Sequence, residues 1–366
     1  MPITDALSAQ LDRLSAFEPG PFPVISLYLN AQPDQHGRDN FDAFLRKELP
    51  ERIRTYPAEG PERNSLEADA EKIRGYASNL PASANGIVIF ASSGSGLFEA
   101  LELATPIDEH RLFVSEQPHL YPLARVLDQY PRYAVLLADT HRSRIVVVAG
   151  NSVEATAQVT GTKTRRHKMG GWSQARYQRH IENYHQQHAK EVAESLARLV
   201  RDEEIGAVVI AGDDVAVPLV RDELPKDVAA RVVDVIKLDE HAPEREIVDA
   251  TIEALRQKDA ETDRDRVDAV LGAYRSSGLA AVGMEPTLAA LELGQVDELL
   301  ISATEETIDP GAKRKPEGNG EPSPEERAAD QLIAKARQTA ARIRFVEDPA
   351  LLAAVGGVAA SLRFKL

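Results

Sequence analysis

The chain has 366 residues, 43% hydrophobic and 28% charged, with 58 acidic side chains against 43 basic and a formal net charge of −15. This is globular composition on a length suited to two or three cores, which excludes a disordered or fibrous protein. The net charge argues against general polyanion binding, because a long-range negative field repels nucleic acid before contact, so any RNA contact must be local.

The first segment, about 1–128, opens with a helical pattern and then an extended run, Pro23 to Leu29. Two polar helical stretches follow near 40–55 and 62–79. Gly86 to Phe90 and Ser95 to Phe98 then suit a hairpin of short strands. Together these predict an α/β N-terminal domain. The proline-rich stretch from Pro118 to Pro131 is the expected boundary, since proline interrupts helices and strands alike.

The second segment, about 131–262, starts with two strongly apolar runs, Tyr133 to Ala138 and Arg144 to Val148, joined by the short polar stretch Asp139 to Ser143. An extended piece from Ser152 to Thr160 completes a meander. From about Gln174 the period changes. Ile181, Tyr184, His188, Val192, Leu196 and Leu199 recur at three and four, predicting a long amphipathic helix. Ala207 to Ala211 reads as a buried strand, Asp213 or Asp214 as the cap of the next helix, and Val232 to Ile236 as another strand before a helix near 244–258. Three strands followed by αβαβα is an RNase H-like order.

The third segment, about 264–366, alternates helix and strand. A helix from Pro286 to Leu293 ends at Gly294, and Glu298 to Ile301 follows as a strand. The Pro-, Gly- and charge-rich stretch Thr304 to Glu325 is expected to be a mobile loop, 304–325. A helix near 326–341, the strand Arg342 to Val346, a short helix and a last strand Ala360 to Phe364 complete an αβα sandwich.

No cysteine is present, which excludes disulfides, thiol catalysis and Cys-based zinc sites. The nine histidines show no ligand spacing, so neither metal nor cofactor is expected. No apolar run approaches the roughly 20 residues of a bilayer span, and Met1-Pro2-Ile3-Thr4-Asp5 has no signal-peptide pattern. A cytoplasmic location with no membrane contact is expected.

One place departs from the acidic background. Lys163, Arg165, Arg166, Lys168, Arg176 and Arg179, with His167 and His180, follow one another with no carboxylate until Glu182. Such a cationic tip is a local footprint for phosphate, onto which Arg forks two donors; the alternative is a solvated surface loop. Gly170 and Gly171 within it permit backbone conformations closed to other residues and keep the chain thin. Ser173 is placed to cap the long helix. Trp172 is either a base-stacking ring or an apolar anchor, and Tyr177 reads equally as a core contact.

The run Lys168 to Arg179 resembles the loop and helix start of archaeal and eukaryotic class-1 release factors, which read Gly-Gly-Gln-Ser-x-x-Arg-Phe-x-Arg. The glycine pair, Ser173, Arg176, an aromatic at Tyr177 and Arg179 carry the match. The domain order is similar too, with the third segment resembling the kink-turn-binding, ribosomal-protein-like domain through Thr287 to Ile301 and Gly356 to Ala360. By these likenesses the chain resembles the release factor and Pelota superfamily. The family's glutamine falls on Trp172, and the nearest one here is Gln174. A shifted glutamine is similar to the branch of ankyrin-repeat and zinc-finger peptidyl-tRNA hydrolases. No Asn-Ile-Lys-Ser run occurs in the first segment, so stop-codon reading is not implied.

The resemblance implies a ribosomal partner, with the A site, the peptidyl transferase centre and the acceptor end of tRNA as contacts. Gln174 would orient water, Gly170 and Gly171 would admit the loop, and Lys163, Arg165, Arg166, Lys168, Trp172, Arg176 and Arg179 would hold RNA. Two alternatives stay open. Balon-type hibernation factors resemble the same superfamily and occupy idle ribosomes with elongation factor Tu, without catalysis. A nuclease acting on the tRNA end would need clustered carboxylates, for which Asp139, Asp213 and Asp214 are the candidates.

Overall fold

The structure is a computed structural model that describes residues 3–32, 41–80, 84–160, 174–311 and 321–365, with backbone alone for 3–6 and 174–181. The chain divides into two compact units, Ile3–Gln129 with Ala260–Leu366, and Tyr130–Asp259.

The first unit begins with α1 (Ile3–Ser15), β1 (Val24–Asn30), α2 (Phe41–Arg54), α3 (Pro61–Ala77), β2 (Gly86–Ser92), β3 (Leu97–Leu103), β4 (Arg111–Ser115) and α4 (Tyr121–Gln129). The strands form an antiparallel sheet in the order β3-β2-β1-β4. Side chains alternate across a strand, so Ile25, Leu27 and Leu29 face α2 and α3, while Tyr28, Val88 and Phe90 face the other way. Both faces are covered, which is why β1 reads as an unbroken apolar run.

The second unit contains β5 (Tyr133–Ala138), β6 (Arg142–Ala149), β7 (Ser152–Thr160), α5 (Gln174–Asp202), β8 (Ala207–Gly212), α6 (Ala216–Glu223), the one-turn α7 (Lys226–Ala229), β9 (Val232–Ile236) and the start of α8 (Glu244–Arg275). Its sheet runs β7-β6-β5-β8-β9, with β5, β8 and β9 parallel and the β5-β6-β7 meander antiparallel. That is the RNase H-like order. Ala134, Leu136, Ile145, Val147, Val208 and Ile210 pack on α5 and α6, and Tyr133, Val135, Leu137, Val146, Val148 and Val209 on the first half of α8.

In the first unit the chain resumes with the second half of α8, then β10 (Ala280–Val282), α9 (Met284–Glu292), β11 (Val296–Ser302), α10 (Pro324–Gln338), β12 (Arg342–Val346), α11 (Pro349–Ala353) and β13 (Val358–Leu362). The sheet order is β10-β13-β11-β12. One face packs on Val267 and Val270 of α8 and Leu352 of α11. The other packs on α9 and α10 and shares one core with α1, α4 and the Tyr28 face of the first sheet.

Four expected boundaries move. The stretch between Pro118 and Pro131 holds α4, because Pro122 falls in a first turn where its missing N–H costs nothing. The helix expected to stop near 258 continues to Arg275, since no Gly or Pro occurs before Gly272 and Asp263, Val267 and Val270 are buried. The last strand starts two residues earlier, where Gly356 and Gly357 complete the turn before Val358. The expected loop 304–325 is ordered at both described ends: Glu305–Thr307 makes a 3-10 turn, Ile308 is buried, and Ser323 caps α10 reciprocally with Glu326. Residues 312–320 lie outside the described residues.

A polar cluster sits where the shared core meets the first sheet. Asp330 of α10 accepts the Leu120 and Tyr121 N–H groups at 2.8 and 2.9 Å, and its second oxygen lies 2.7 Å from His119 Nδ1. Tyr28 donates to the His119 carbonyl at 2.6 Å, and Arg111 reaches Glu305 at 3.2 Å and Glu326 at 3.6 Å. Burial alone would lower the pKa of His119, but Asp330, with Glu326 and Glu305 beyond it, outweighs burial and raises it.

Asp330→Ala leaves two N–H groups and the His119 ring buried without their acceptor, and is expected to cost about 3–5 kcal/mol in urea unfolding. His119 also makes stability depend on pH. A group whose folded pKa exceeds its unfolded value contributes fully below that unfolded value, about 6.5, and the contribution fades as pH rises through the folded one. Wild type is therefore expected to lose stability above about pH 6.5 relative to His119→Gln, read as unfolding midpoint against pH.

Candidate nucleic-acid interface

The parallel order of β5 and β8, with β7 running the same way, brings three strand ends together at one end of the second unit. The starts of β6, α5 and α6 lie there too. The sheet interior is apolar on both faces, so polar groups gather at this end.

Asp139 shapes the turn between β5 and β6. Its Oδ1 accepts the N–H groups of His141 and Arg142 at 2.8 and 3.2 Å. Partial burial pushes the carboxyl up, but these bonds and the nearby His141 outweigh it and hold Asp139 below the usual carboxylate range. Asp213 does the same work for α6, accepting from Val215 and Ala216 at 2.8 and 2.6 Å. Asp214 pairs with Lys237 at 3.1 Å. Gly212 sets the spacing of these two turns. With φ at +145° it passes so near β5 that a Cβ would meet the Ala138 carbonyl oxygen at 2.1 Å. The three carboxylates that could serve a nuclease are thus engaged in turns and an ion pair. Among the described residues no group of three His, Cys, Asp or Glu side chains is placed to hold a metal.

The basic segment spans β7 and α5. Its near anchor is Thr160, paired with Arg142 of β6, and its far anchor is the first turn of α5. Lys163, Arg165, Arg166, Lys168, Gly170, Gly171, Trp172 and the expected cap Ser173 lie outside the described residues. The described part of the helix begins at Gln174, and Arg176 and Arg179 fall one turn apart in it. Among its described side chains the buried ones start at His188 and Ala189, followed by Val192, Ala193, Leu196, Ala197 and Val200, while residues 182–187 are exposed or half-buried.

At the junction of α5 with the sheet, three rings meet. The ring of His141 lies 5.9 Å from that of Tyr184 and 5.5 Å from that of His185, and the two helix rings are 6.1 Å apart. Below them His188 is buried, its Nε2 3.3 Å from Ser143 Oγ, and burial lowers its pKa. Periodicity assigns Tyr184 to the core stripe. The structure leaves it half-buried beside the rings of His141 and His185. The composition of 174–190, rich in Gln, His, Tyr and Asn with Glu182 its one carboxylate, is the signal that marks this surface.

Residues 118–256 match bacterial archaeo-eukaryotic release factor family 10, and residues 264–366 match eRF1 domain 3, together about two thirds of the chain. Curated relatives named peptide chain release factor subunit 1 include that of Methanopyrus kandleri, 28% identical over 56% of this chain and 51% of its own length. Those of Archaeoglobus fulgidus and Aeropyrum pernix are 26% and 23% identical, covering 77% and 94% of this chain and 77% and 90% of their own lengths. Among solved structures, ribosome-bound archaeal Pelota is 15% identical, with 99% of this chain and 94% of that one covered, at a TM-score of 0.43. S. cerevisiae Dom34 is 10% identical, with 76% and 80% covered, at 0.45.

Because Asp139 holds its turn through hydrogen bonds, Asp139→Ala is expected to cost about 1–3 kcal/mol in urea unfolding, and Asp139→Asn, which keeps the acceptor oxygen, much less. Equal losses in the two variants would show that the charge itself is needed there.

Proposed function

We infer the function of this chain from its membership of the archaeo-eukaryotic release factor superfamily, to whose bacterial branch it belongs. It works on the ribosome, entering the A site and hydrolysing the ester of peptidyl-tRNA in stalled complexes. The observation that carries this reading is the acid-free cationic segment between β7 and the long helix α5, on a chain of net charge −15.

Ester hydrolysis requires a water aimed at the carbonyl and donors for the oxyanion, and little from an ionisable group. Gln174 orients that water through its amide. Gly170 and Gly171 keep the approaching backbone narrow enough for the peptidyl transferase centre. Lys163, Arg165, Arg166, Lys168, Arg176 and Arg179 bind phosphates around the tRNA acceptor end, and Trp172 stacks on a base. The RNA-binding charges are local, so binding weakens steeply as salt rises.

A second reading is favoured by one observation: Trp172 stands where class-1 release factors carry glutamine. On that reading the chain is a hibernation factor that fills the vacant A site, with elongation factor Tu as its partner, and catalyses nothing.

Gln174→Ala is expected to slow peptide release from a stalled ribosome complex by about a hundredfold or more while leaving ribosome co-sedimentation intact. Release unchanged in this variant rules out the assigned role of Gln174. Co-sedimentation without any release by wild type selects the hibernation reading.

A further inference from the structure

We propose that His141, Tyr184 and His185 form a second RNA contact, a stacking site for an unpaired base beside the phosphate-binding segment. This rests on the reading that the chain acts on ribosomal or transfer RNA, and adds to it a site on described side chains.

The three rings lie pairwise 5.5–6.1 Å apart between centroids with interplanar angles of 47–71°, a tilted arrangement in which no two of them stack face to face. The His141 side chain is 69% exposed, and Arg142 beside it is exposed as well. An aromatic face next to a guanidinium suits a nucleotide, whose base stacks on any π surface while its phosphate takes the cation. Tyr184 and His185 are half-buried, next to His188 and Ala189, where the described core contacts of α5 begin.

The support beneath the rings is rigid. Asp139 fixes the backbone of His141 and Arg142 through two N–H bonds, and Thr140 Oγ1 lies 2.8 Å from His141 Nδ1. Buried His188 meets Ser143 of the same turn and ties it to α5. A ring held in place loses little freedom on binding, which favours affinity.

The charge pattern points to RNA. Between Gly161 and Lys190 the chain has seven Lys and Arg residues and Glu182 as its one carboxylate, against an excess of acids overall. Tyr184 lies ten residues along α5 from Gln174, about 15 Å, so a strand extending from the helix start along the sheet end meets the rings next.

The test is fluorescence anisotropy with a labelled single-stranded oligoribonucleotide of about twelve nucleotides, within the range that one such surface accommodates. His141→Ala and Tyr184→Ala are each expected to lower affinity about five- to hundredfold, and Tyr184→Phe to retain it. A duplex of the same sequence, its bases already stacked, is expected to bind more weakly and not to separate the variants. His141→Ala removes a largely exposed ring, so its unfolding midpoint should match wild type. No binding by wild type overturns the assignment, as does equal affinity in the variant with all three rings replaced by Ala. Loss in Tyr184→Phe equal to that in Tyr184→Ala overturns stacking as its basis. Peptide release, measured in parallel, reports on hydrolysis separately: RNA bound through the rings with no release refutes hydrolysis alone, and normal binding and release by the three-ring variant refutes the ring site alone.

Discussion

The central strands of the second unit's sheet, β5, β6 and β8, are buried on both faces, and the placement of its polar turns follows from that. Tyr133 to Ala138 and Arg144 to Val148 offer the interior almost nothing but hydrocarbon, α5 and α6 covering one side and α8 the other. A polar side chain inside such a sandwich would lose its hydration with no partner to replace it. Asp139, His141, Asp213 and Asp214 accordingly stand at strand ends. Gly212 sets how near the two carboxylate-bearing turns come, because β8 crosses the β5 carbonyl at a separation that leaves no room for a side chain. The strand ends and the helix extending from them therefore make up the polar end of this unit.

In the first unit the burden is different. Two sheets share one apolar layer of helices, and within it a histidine, three carboxylates and an arginine are brought together. Burying charges costs more than pairing them returns in many proteins, so this cluster is weak evidence for net stability. Its geometry is more informative. Asp330 comes from α10, the groups it bonds come from the segment leading into α4, and Arg111 lies on β4. Parts of the chain some two hundred residues apart are thus held by directional bonds as well as by packing. A hydrophobic contact alone would tolerate slippage that these bonds do not.

The proposed RNA surface combines two kinds of information. Charge is written in sequence, and a run of cations without carboxylates stands out on an acidic chain. The ring cluster is a matter of meeting, since His141 is more than forty positions from Tyr184 and no periodicity joins them. In the amino-acid order His141 is one residue of a short hairpin turn, and Tyr184 one residue of a helical stripe.

The sequence by itself determined the strands of the middle sheet and the long helical stripe of α5. Both depend on local periodicity and propensity. It also carried the resemblance of the Gly170 to Arg179 stretch, which is a pattern of residue types. Only the tertiary structure decided that α8 runs on to Arg275, that residues 305–308 are held down, and that Asp330 receives the backbone N–H groups of Leu120 and Tyr121. It also decided that Tyr184 leaves the core stripe to face His141. Those outcomes turn on which surfaces remain to be covered once the sheets have formed, a non-local quantity that no window of sequence contains.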